Sequence, residues 1–507
     1  MLGQNIGRVG LPDMSAGGRP SLTLDFVSIP VLNEKITFSR ASGATWFSPD
    51  GVLKGVDFST TSVAIGTGSK SFTLTATAGV NRYWAVNDLV RVSQQSNSAN
   101  FMEGTVTSYT ASTQVLVIDV TSTGGSGTIA SWRVASHMPR LDYNPSTLAA
   151  RGLLIEEART NSIRNNTMVG AAAGTPGTLP TNWQVSGLGT LTQEITGIGT
   201  ENGISYIDIK FSGTTSTTGL SILFESATQI VATNGQTWIS SQYVKIQNGS
   251  TTNITNIRAF VRGLTALGTQ VESNGVVFSP TSTLVRYIGN ITLANATSER
   301  VQPFINIGFS SGVAIDITLR IGLPQLELGA FATSVIPTTN ALALGVTRSA
   351  DVASVNTLSP WFNASSGTLY GEITDAAITV SGVARRIATI GDAPNTDIIA
   401  VAYAGATGVS TAFVTDNNVN QASFVSPSGA YAQPTKVALA YAANDFQASV
   451  NGSAFSAVTS GTVPTVTQMS LGDAIITAVG RNLNGHLRRV TYYPRRLSQA
   501  ELIAITA

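Results

Sequence analysis

Two histidines and no cysteine in 507 residues leave little for chemistry that moves protons or electrons. His137 falls at the junction of two stretches and His486 inside a predicted strand, so neither has the surroundings of an imidazole base. No GxSxG elbow, HExxH helix, Walker A loop or GxGxxG fingerprint occurs, which disfavours elbow-nucleophile, zinc and phosphate chemistry. The missing cysteines remove disulfides, thiolate metal sites and thiol nucleophiles together. A glycoside hydrolase needs only two carboxyl groups about 5 to 9.5 Å apart, and Glu156 with Glu157 are the only adjacent acids. Neighbours on a strand point to opposite faces, so these two are expected to pair with Arg151 or Arg159 and no catalytic residue is assigned. Glycan binding asks for less: an exposed aromatic face on which a sugar ring can stack, with planar polar groups beside it. Trp183, Trp238 and Tyr243 are the candidates, with Gln242 as the polar neighbour. Period two puts Trp238 and Gln242 on one strand face and Tyr243 on the other. Against this stands the tendency of large aromatics to be buried. Asp392, Asp397, Asn444 and Asp445 offer oxygen ligands in predicted loops, but their spacing matches no calcium loop, so no metal and no cofactor is expected. Arg488, Arg489, Arg495 and Arg496 form a basic cluster, read as a solvated or interface face before an acidic-sugar site.

The elements that must position these residues are sheets. Charged residues make up 11% of the chain, well under the roughly 25% of an average globular protein. Abundant Thr, Val and Ile favour strands, and Gly, Asn and Pro turns recur at the roughly 8 to 12-residue spacing that sandwiches require. No long amphipathic helical repeat is present, so the fold class is all-β. A chain of 507 residues is too long for one core, and three or four domains are expected. A net charge of +1 supplies no electrostatic footprint for nucleic acid. With no apolar run of about 18 residues and no charged-then-apolar amino terminus, neither membrane insertion nor a signal peptide is expected, and synthesis in a cytoplasm is.

Taken in order, residues 1–20 are polar and Gly-rich without a period, as in a segment that orders only against a partner. Residues 21–55 read as strand, turn, strand around Ser48-Pro49-Asp50-Gly51, and their companion segment resumes at 137–164. Between them, 56–136 carries its own short strands and reads as a small inserted β-barrel. Residues 165–340 form a β-sandwich, with Ile207, Ile209 and Phe211 inward and Tyr206, Asp208 and Lys210 outward. Its last strand alternates cleanly from Ile315 to Ile321. Past Gly322 the alternation stops, and Pro324, Gly329 and Pro337 predict that the chain leaves the sheet as an ordered strap. Residues 341–360 read as a linker. In 361–507, a second sandwich, Asn451-Gly452 predicts a two-residue hairpin turn. Ser498 with Glu501 predicts a capping box, and Leu497 with Leu502 its hydrophobic staple, on one short C-terminal helix.

Four strings carry a resemblance: FSRASGATWFSPDGVL from Phe38, PRLDYNP with RGLLIEEARTN from Pro139, PQLELGAFATSVIPTT followed by TRSAD from Pro324, and GHLRRVTYYPRRLSQAELIAIT from Gly485. The first three resemble segments of virion proteins of tailed bacteriophages, the third ending a carbohydrate-binding-module-like jelly roll. The fourth resembles the end of a concanavalin or laminin G-like lectin domain. The resemblance implies a multidomain string of β-sandwiches with the 165–340 jelly roll and the 361–507 lectin-like domain as its main bodies.

What it implies for function is a fibre or spike projecting from the particle and binding host polysaccharide or lipopolysaccharide during adsorption. Residues 1–20 would anchor it to other virion proteins, and phage fibres supply the analogy for a homotrimer. A purely architectural capsid or tail component is the alternative, and a polysaccharide depolymerase a more distant one.

Overall fold

The computed structural model describes residues 18–29, 32–75, 82, 84–339, 345–376, 384–404, 409–427, 433–475 and 481–507. Residues 1–17, most of the expected virion anchor, lie outside them. The architecture is all-β with one short helix, Gln499–Thr506, among the described residues. No described helix is long and apolar enough to cross a membrane. The chain divides into two compact units, each assembled from separated segments.

One unit comprises Met1–Arg40, Pro139–Glu157 and Ala350–Ala507. It stacks an eight-stranded sheet on a seven-stranded one, and every pairing within both is antiparallel. The strand Gly485–Tyr493 organises the larger sheet. One edge pairs with Ser366–Thr374, and the other is shared by Ala150–Ile155 and Leu22–Asp25. In the smaller sheet Val352–Val355 is seated between Thr37–Ser39 and Gln468–Leu471. Leu22, Leu24, Phe26, Leu153 and Ile155 are thereby buried in the same core as Trp361, Leu439, Phe446 and Tyr492.

Two expected boundaries change. The segments 21–55 and 137–164 do not form a module of their own: their first halves complete the C-terminal sandwich, and Ala41–Met138 belongs to the other unit. Nor is 341–360 a linker, since Val346–Arg348 and Val352–Val355 are both strands. The physical reason is the same for both. A half-apolar strand is stable only beside a partner that covers its edge and one face, and these strands find theirs hundreds of residues away.

Local readings hold better. Asn451 and Gly452 take φ of 43° and 77°, the left-handed region a tight hairpin turn demands. Ser498 Oγ accepts from the Glu501 N–H while the Glu501 carboxylate accepts from the Ser498 N–H, the reciprocal cap expected. Leu497 and Leu502 are buried together against Tyr370 and Tyr493.

The second unit, Ala41–Met138 with Ala158–Ser349, holds a barrel and a sandwich. The barrel runs through six strands from Val56–Ser59 to Gly68–Thr73, and the Ser59–Leu74 bridge joins its two ends. Trp132 and Phe72 meet edge to face at 5.9 Å in its core. The sandwich packs a sheet containing Ile204–Thr214, Ala314–Leu328 and Thr237–Gly249 on one containing Gly219–Leu223, Arg300–Phe309, Ile254–Leu264 and Gln270–Phe278. Inward residues alternate as expected: Ile207, Ile209, Phe211, Ile315, Ile317, Leu319 and Ile321 are all buried.

The closing strand differs from its expected end. It continues through Gly322 to Leu328 because Leu323 and Pro324 together oppose the single residue Gln242, a bulge in which Leu323 takes a φ of 42°. A bulge is one of the places a sheet tolerates a residue without an N–H. The strap begins only after Gly329, held by the Ile336 N–H on Gln325 Oε1 and by the Asn161 and Asn166 amides on Ile336 O.

Candidate functional site

None of the aromatics singled out in the sequence offers a ring to solvent. Trp183 is 5% exposed, lies edge-on to Phe224 at 4.7 Å, and spends its Nε1–H on Asn165 O. Trp238 belongs to the same sandwich core, with its Nε1–H on Gln236 Oε1. Tyr243 does face the other side of the strand from Trp238, but Leu53, Ile204, Leu323 and Val335 cover it. Gln242 is fully buried opposite the bulge. A sugar ring cannot stack on a covered face, so these four residues do not make a glycan site.

The charged candidates are structural. Arg151 lies 3.6 Å from Asp142 and from Asp375 instead of Glu156, which Arg140 binds at 2.6 Å; the second arm of Arg140 holds Asp351, whose other oxygen takes Arg40 at 2.8 Å. Burial disfavours a charged guanidinium at Arg140, but Asp351 and Glu156 outweigh it and hold its pKa above the usual arginine value. Arg40, Arg140, Glu156 and Asp351 come from the three strings that carry the phage resemblance, so those strings meet in one buried ion cluster. Glu157 accepts from Asn484. His486 Nε2 lies 2.9 Å from Asp142, and His137 Nδ1 3.8 Å from Glu103. Asp392 takes the N–H groups of Thr396 and Asp397, Asp397 takes that of Asn417, Asn444 takes that of Gly461, and Asp445 pairs with Arg496. The basic cluster near the C-terminus is likewise matched: Arg488 with Glu372, Arg489 with Asp25, Arg495 with Glu501.

An aromatic face does exist, on residues the sequence reading passed over. In the strand Ile254–Leu264, Ile257, Ala259 and Val261 fill the sandwich core. Period two then turns Arg258, Phe260 and Arg262 to the outer face. Phe260 sits opposite Phe304 on one neighbouring strand and opposite Gly275 on the other. The two phenyl rings are parallel, with centroids 5.0 Å apart and planes within 1°. Phe304 is buried and Phe260 half-buried, so Phe260 is the member of the stack that reaches solvent. Gly275 makes the arrangement possible, because a Cβ there would meet the Phe260 ring at 2.4 Å.

Polar groups frame the stack. Arg262 donates to Gln302 Oε1 from Nε at 2.8 Å and also through its Nη2, its Nη1 reaches Gln270 Oε1, and its guanidinium lies 5.2 Å from the Phe304 centroid. Burial pushes the Arg262 pKa below its ordinary value. Arg258 stands on the other side, 5.9 Å from the Phe260 centroid, in the row that contains Asn306 and exposed Val277. Asn306 spends its amide on Leu220 O and Ser221 Oγ. The only sequence signal for this face is the alternation R-A-F-V-R, which places an aromatic on the polar side of a strand between two cations.

The outer face of the opposite sheet differs. There Tyr206 is capped by the Arg320 guanidinium at 3.4 Å, and Arg320 is itself bound by Asp208 and Glu201. That ring is already occupied, which leaves the Phe260 face as the candidate site.

No family model and no curated protein matches the chain. Its structural neighbours include phage tail proteins and carbohydrate-binding modules. The carbohydrate-binding module of the Ruminococcus gnavus IT-sialidase, solved with α2,6-sialyllactose, is 17% identical over 29% of this chain and 85% of its own, with a TM-score of 0.24. The enzymatically active domain of bacteriophage CBA120 tailspike protein 4 is 16% identical over 29% of this chain and 19% of its own, at 0.20. The tripod from the baseplate of bacteriophage Tuc2009 is 12% identical over 62% and 92%, at 0.26. Likenesses at this level carry no argument about ligand or activity, and the candidate site rests on its own geometry.

Proposed function

We propose that this chain is a structural protein of a tailed-bacteriophage virion, a fibre or spike that binds host surface glycan through the outer face around Phe260. The observation that carries the reading is the Phe260–Phe304 stack, with one ring half-exposed and guanidinium and amide groups on either side of it. A sugar presents an apolar ring face with hydroxyls at its rim, and an aromatic plane fringed by fixed donors matches both. The phage assignment is supported by the first three strings described above. In this reading the protein works by contact and not by catalysis: Glu156, the strongest carboxylate candidate, is neutralised by Arg140. Weak sugar sites gain from multivalency, which favours an oligomer; the homotrimer rests on analogy with phage fibres, and residues 1–20 are assigned to other virion proteins.

The test is retention of the full chain on host cells and a glycan array, wild type against Phe260→Ala. Truncating the ring costs the aromatic pairing, about 0.5–1.5 kcal/mol, plus part of the roughly 1.5–3 kcal/mol of burying a Phe, so the variant should melt earlier but still cooperatively while retention falls at least several-fold. A wild-type protein that no glycan or cell surface retains, or a variant retained equally well, refutes the reading. Native mass spectrometry of the full chain tests the trimer.

One observation favours a second reading, a purely architectural capsid or tail component. The residues of the resembling strings converge on a buried ion cluster, so the likeness they carry concerns how the protein is built. Particles lacking the protein that assemble abnormally but adsorb at the normal rate would select this reading.

A further inference from the structure

The Phe260 face differs in its charge balance from the outer face around Tyr206. There Arg320 has Asp208 and Glu201, and Lys245 has Glu201. Arg82, Arg91, Arg164 and Arg488 each hold a carboxylate within 2.7–2.8 Å or closer. Arg258 and Arg262 have no carboxylate partner among the described residues. Arg262 is fixed by two neutral glutamine oxygens, and Arg258 makes no hydrogen bond to any described residue. The nearest acids are spoken for. Glu272, opposite Gly263 and so facing the other way, accepts from the Ala294 and Asn295 N–H groups and from Ser298. Glu225, adjoining Gln302, is taken by Arg164.

Leaving two like charges about 13 Å apart on one strand, four residues at about 3.3 Å each, contributes nothing to folding. A guanidinium fork is shaped for a planar or tetrahedral oxyanion, and its hydrogen bonds to one are about twice as strong as neutral ones. An aromatic between the two forks supplies the surface for the ring that bears the anion. Resting on the glycan-binding reading, we infer that this face recognises an acidic saccharide, one whose sugar ring lies on Phe260 while its anionic group is bound by Arg258 or Arg262. Arg262, preset by Gln302, holds a fixed position; Arg258, with all its donors uncommitted, closes on the anion.

The experiment uses the full chain and three polymers: polygalacturonate and alginate for the carboxylate arm, each compared with its carboxyl-reduced form, and phosphomannan against dephosphorylated mannan for the phosphate arm. Binding is read by calorimetry or interferometry at low and high salt. At least one acidic polymer should bind, lose roughly tenfold or more on removal of its charge, and weaken as salt rises past the point where the screening length falls to about 8 Å. Arg258→Gln should reproduce most of that loss with an unchanged melting temperature, and Arg262→Gln should act in the same direction. Gly275→Ala, which pushes the Phe260 ring aside without straining the backbone, should weaken acidic and neutral forms alike. Equal binding of charged and uncharged forms, or wild-type affinity in Arg258→Gln, overturns the acidic preference while Phe260→Ala still reports on glycan binding. If no acidic polymer binds but neutral mannan does and Phe260→Ala abolishes it, this inference falls and the glycan reading stands. If no polymer and no array glycan binds, both fall.

Discussion

Arg140 offers the sharpest test of how the unit built around the C-terminal sandwich is held together. Its side chain is wholly buried, with Glu156 on one arm and Asp351 on the other, and Asp351 also accepts from buried Arg40 and from the Glu156 N–H. Two cations and two anions make the cluster neutral. Replacing Arg140 by Met removes the cation that Glu156 and Asp351 share. Removing one member of a buried pair costs about 3–5 kcal/mol, because the partner stays desolvated without compensation. That is a large share of the roughly 5–15 kcal/mol by which domains are stable. Arg140→Met together with Glu156→Gln returns the cluster to neutrality, so the double variant should be more stable than the single one by about 2 kcal/mol or more, a coupling that double-mutant cycles resolve. Urea unfolding followed by 19F NMR of fluorotryptophan-labelled protein separates the units, since Trp361 is the single tryptophan of this unit and the other five of the six belong to the second. The Trp361 transition should move to lower urea with its slope unchanged, while the other five report an unaltered barrel and sandwich. A shift of under about 1 kcal/mol, or a double variant no better than the single, would refute the claim that uncompensated burial governs this site.

Three further outcomes follow from the same geometry. The fragment 361–507 should not fold by itself, because it lacks Leu22, Leu24, Phe26, Leu153 and Ile155, each worth about 1.5–3 kcal/mol when buried; a dispersed NMR spectrum and a cooperative melt for that fragment would contradict it. Burial raises the Asp473 pKa to about 6, only partly opposed by the Ala474 N–H, Arg386, Arg481 and Asn482. The folded unit therefore holds this proton more tightly than the unfolded chain, and stability is lost as pH rises from about 4 to about 6. Asp473→Asn should gain about 1–3 kcal/mol at pH 8 and nothing at pH 4, and equal effects at both pH values would count against the assignment. Ser498→Ala should cost about 1 kcal/mol of unit stability by opening the helix cap. Arg495 and the cap hold the Glu501 carboxyl down to about 2, so this contribution is present above pH 4.5 and lost as pH falls toward 2; a Ser498→Ala penalty that persists undiminished at pH 2 would disprove the coupling.

Much was legible without coordinates wherever the governing interaction is local. The all-β class follows from composition and turn spacing. The Asn451-Gly452 turn and the Ser498–Glu501 cap are set by backbone dihedrals and by hydrogen bonds that close within a few residues, so residue type alone specifies them. The scarcity of reactive groups is also a property of the string of residues.

Two matters were decided only by tertiary structure. Alternation announces that a strand has two faces but not which strand will lie beside it. The partner of Leu22–Asp25 is Arg489–Tyr492, more than 460 residues away, and nothing nearby in sequence marks the pair. Alternation also says nothing of what will cover a face once the sheet is built. Trp238 and Phe260 are both strand aromatics; the opposing sheet closes over Trp238, while Gly275 leaves room for the Phe260 ring, which stays half-exposed on the outer face. Burial is a property of the assembled layers, summed over atoms brought from distant segments, and so the site emerged only where those layers ended.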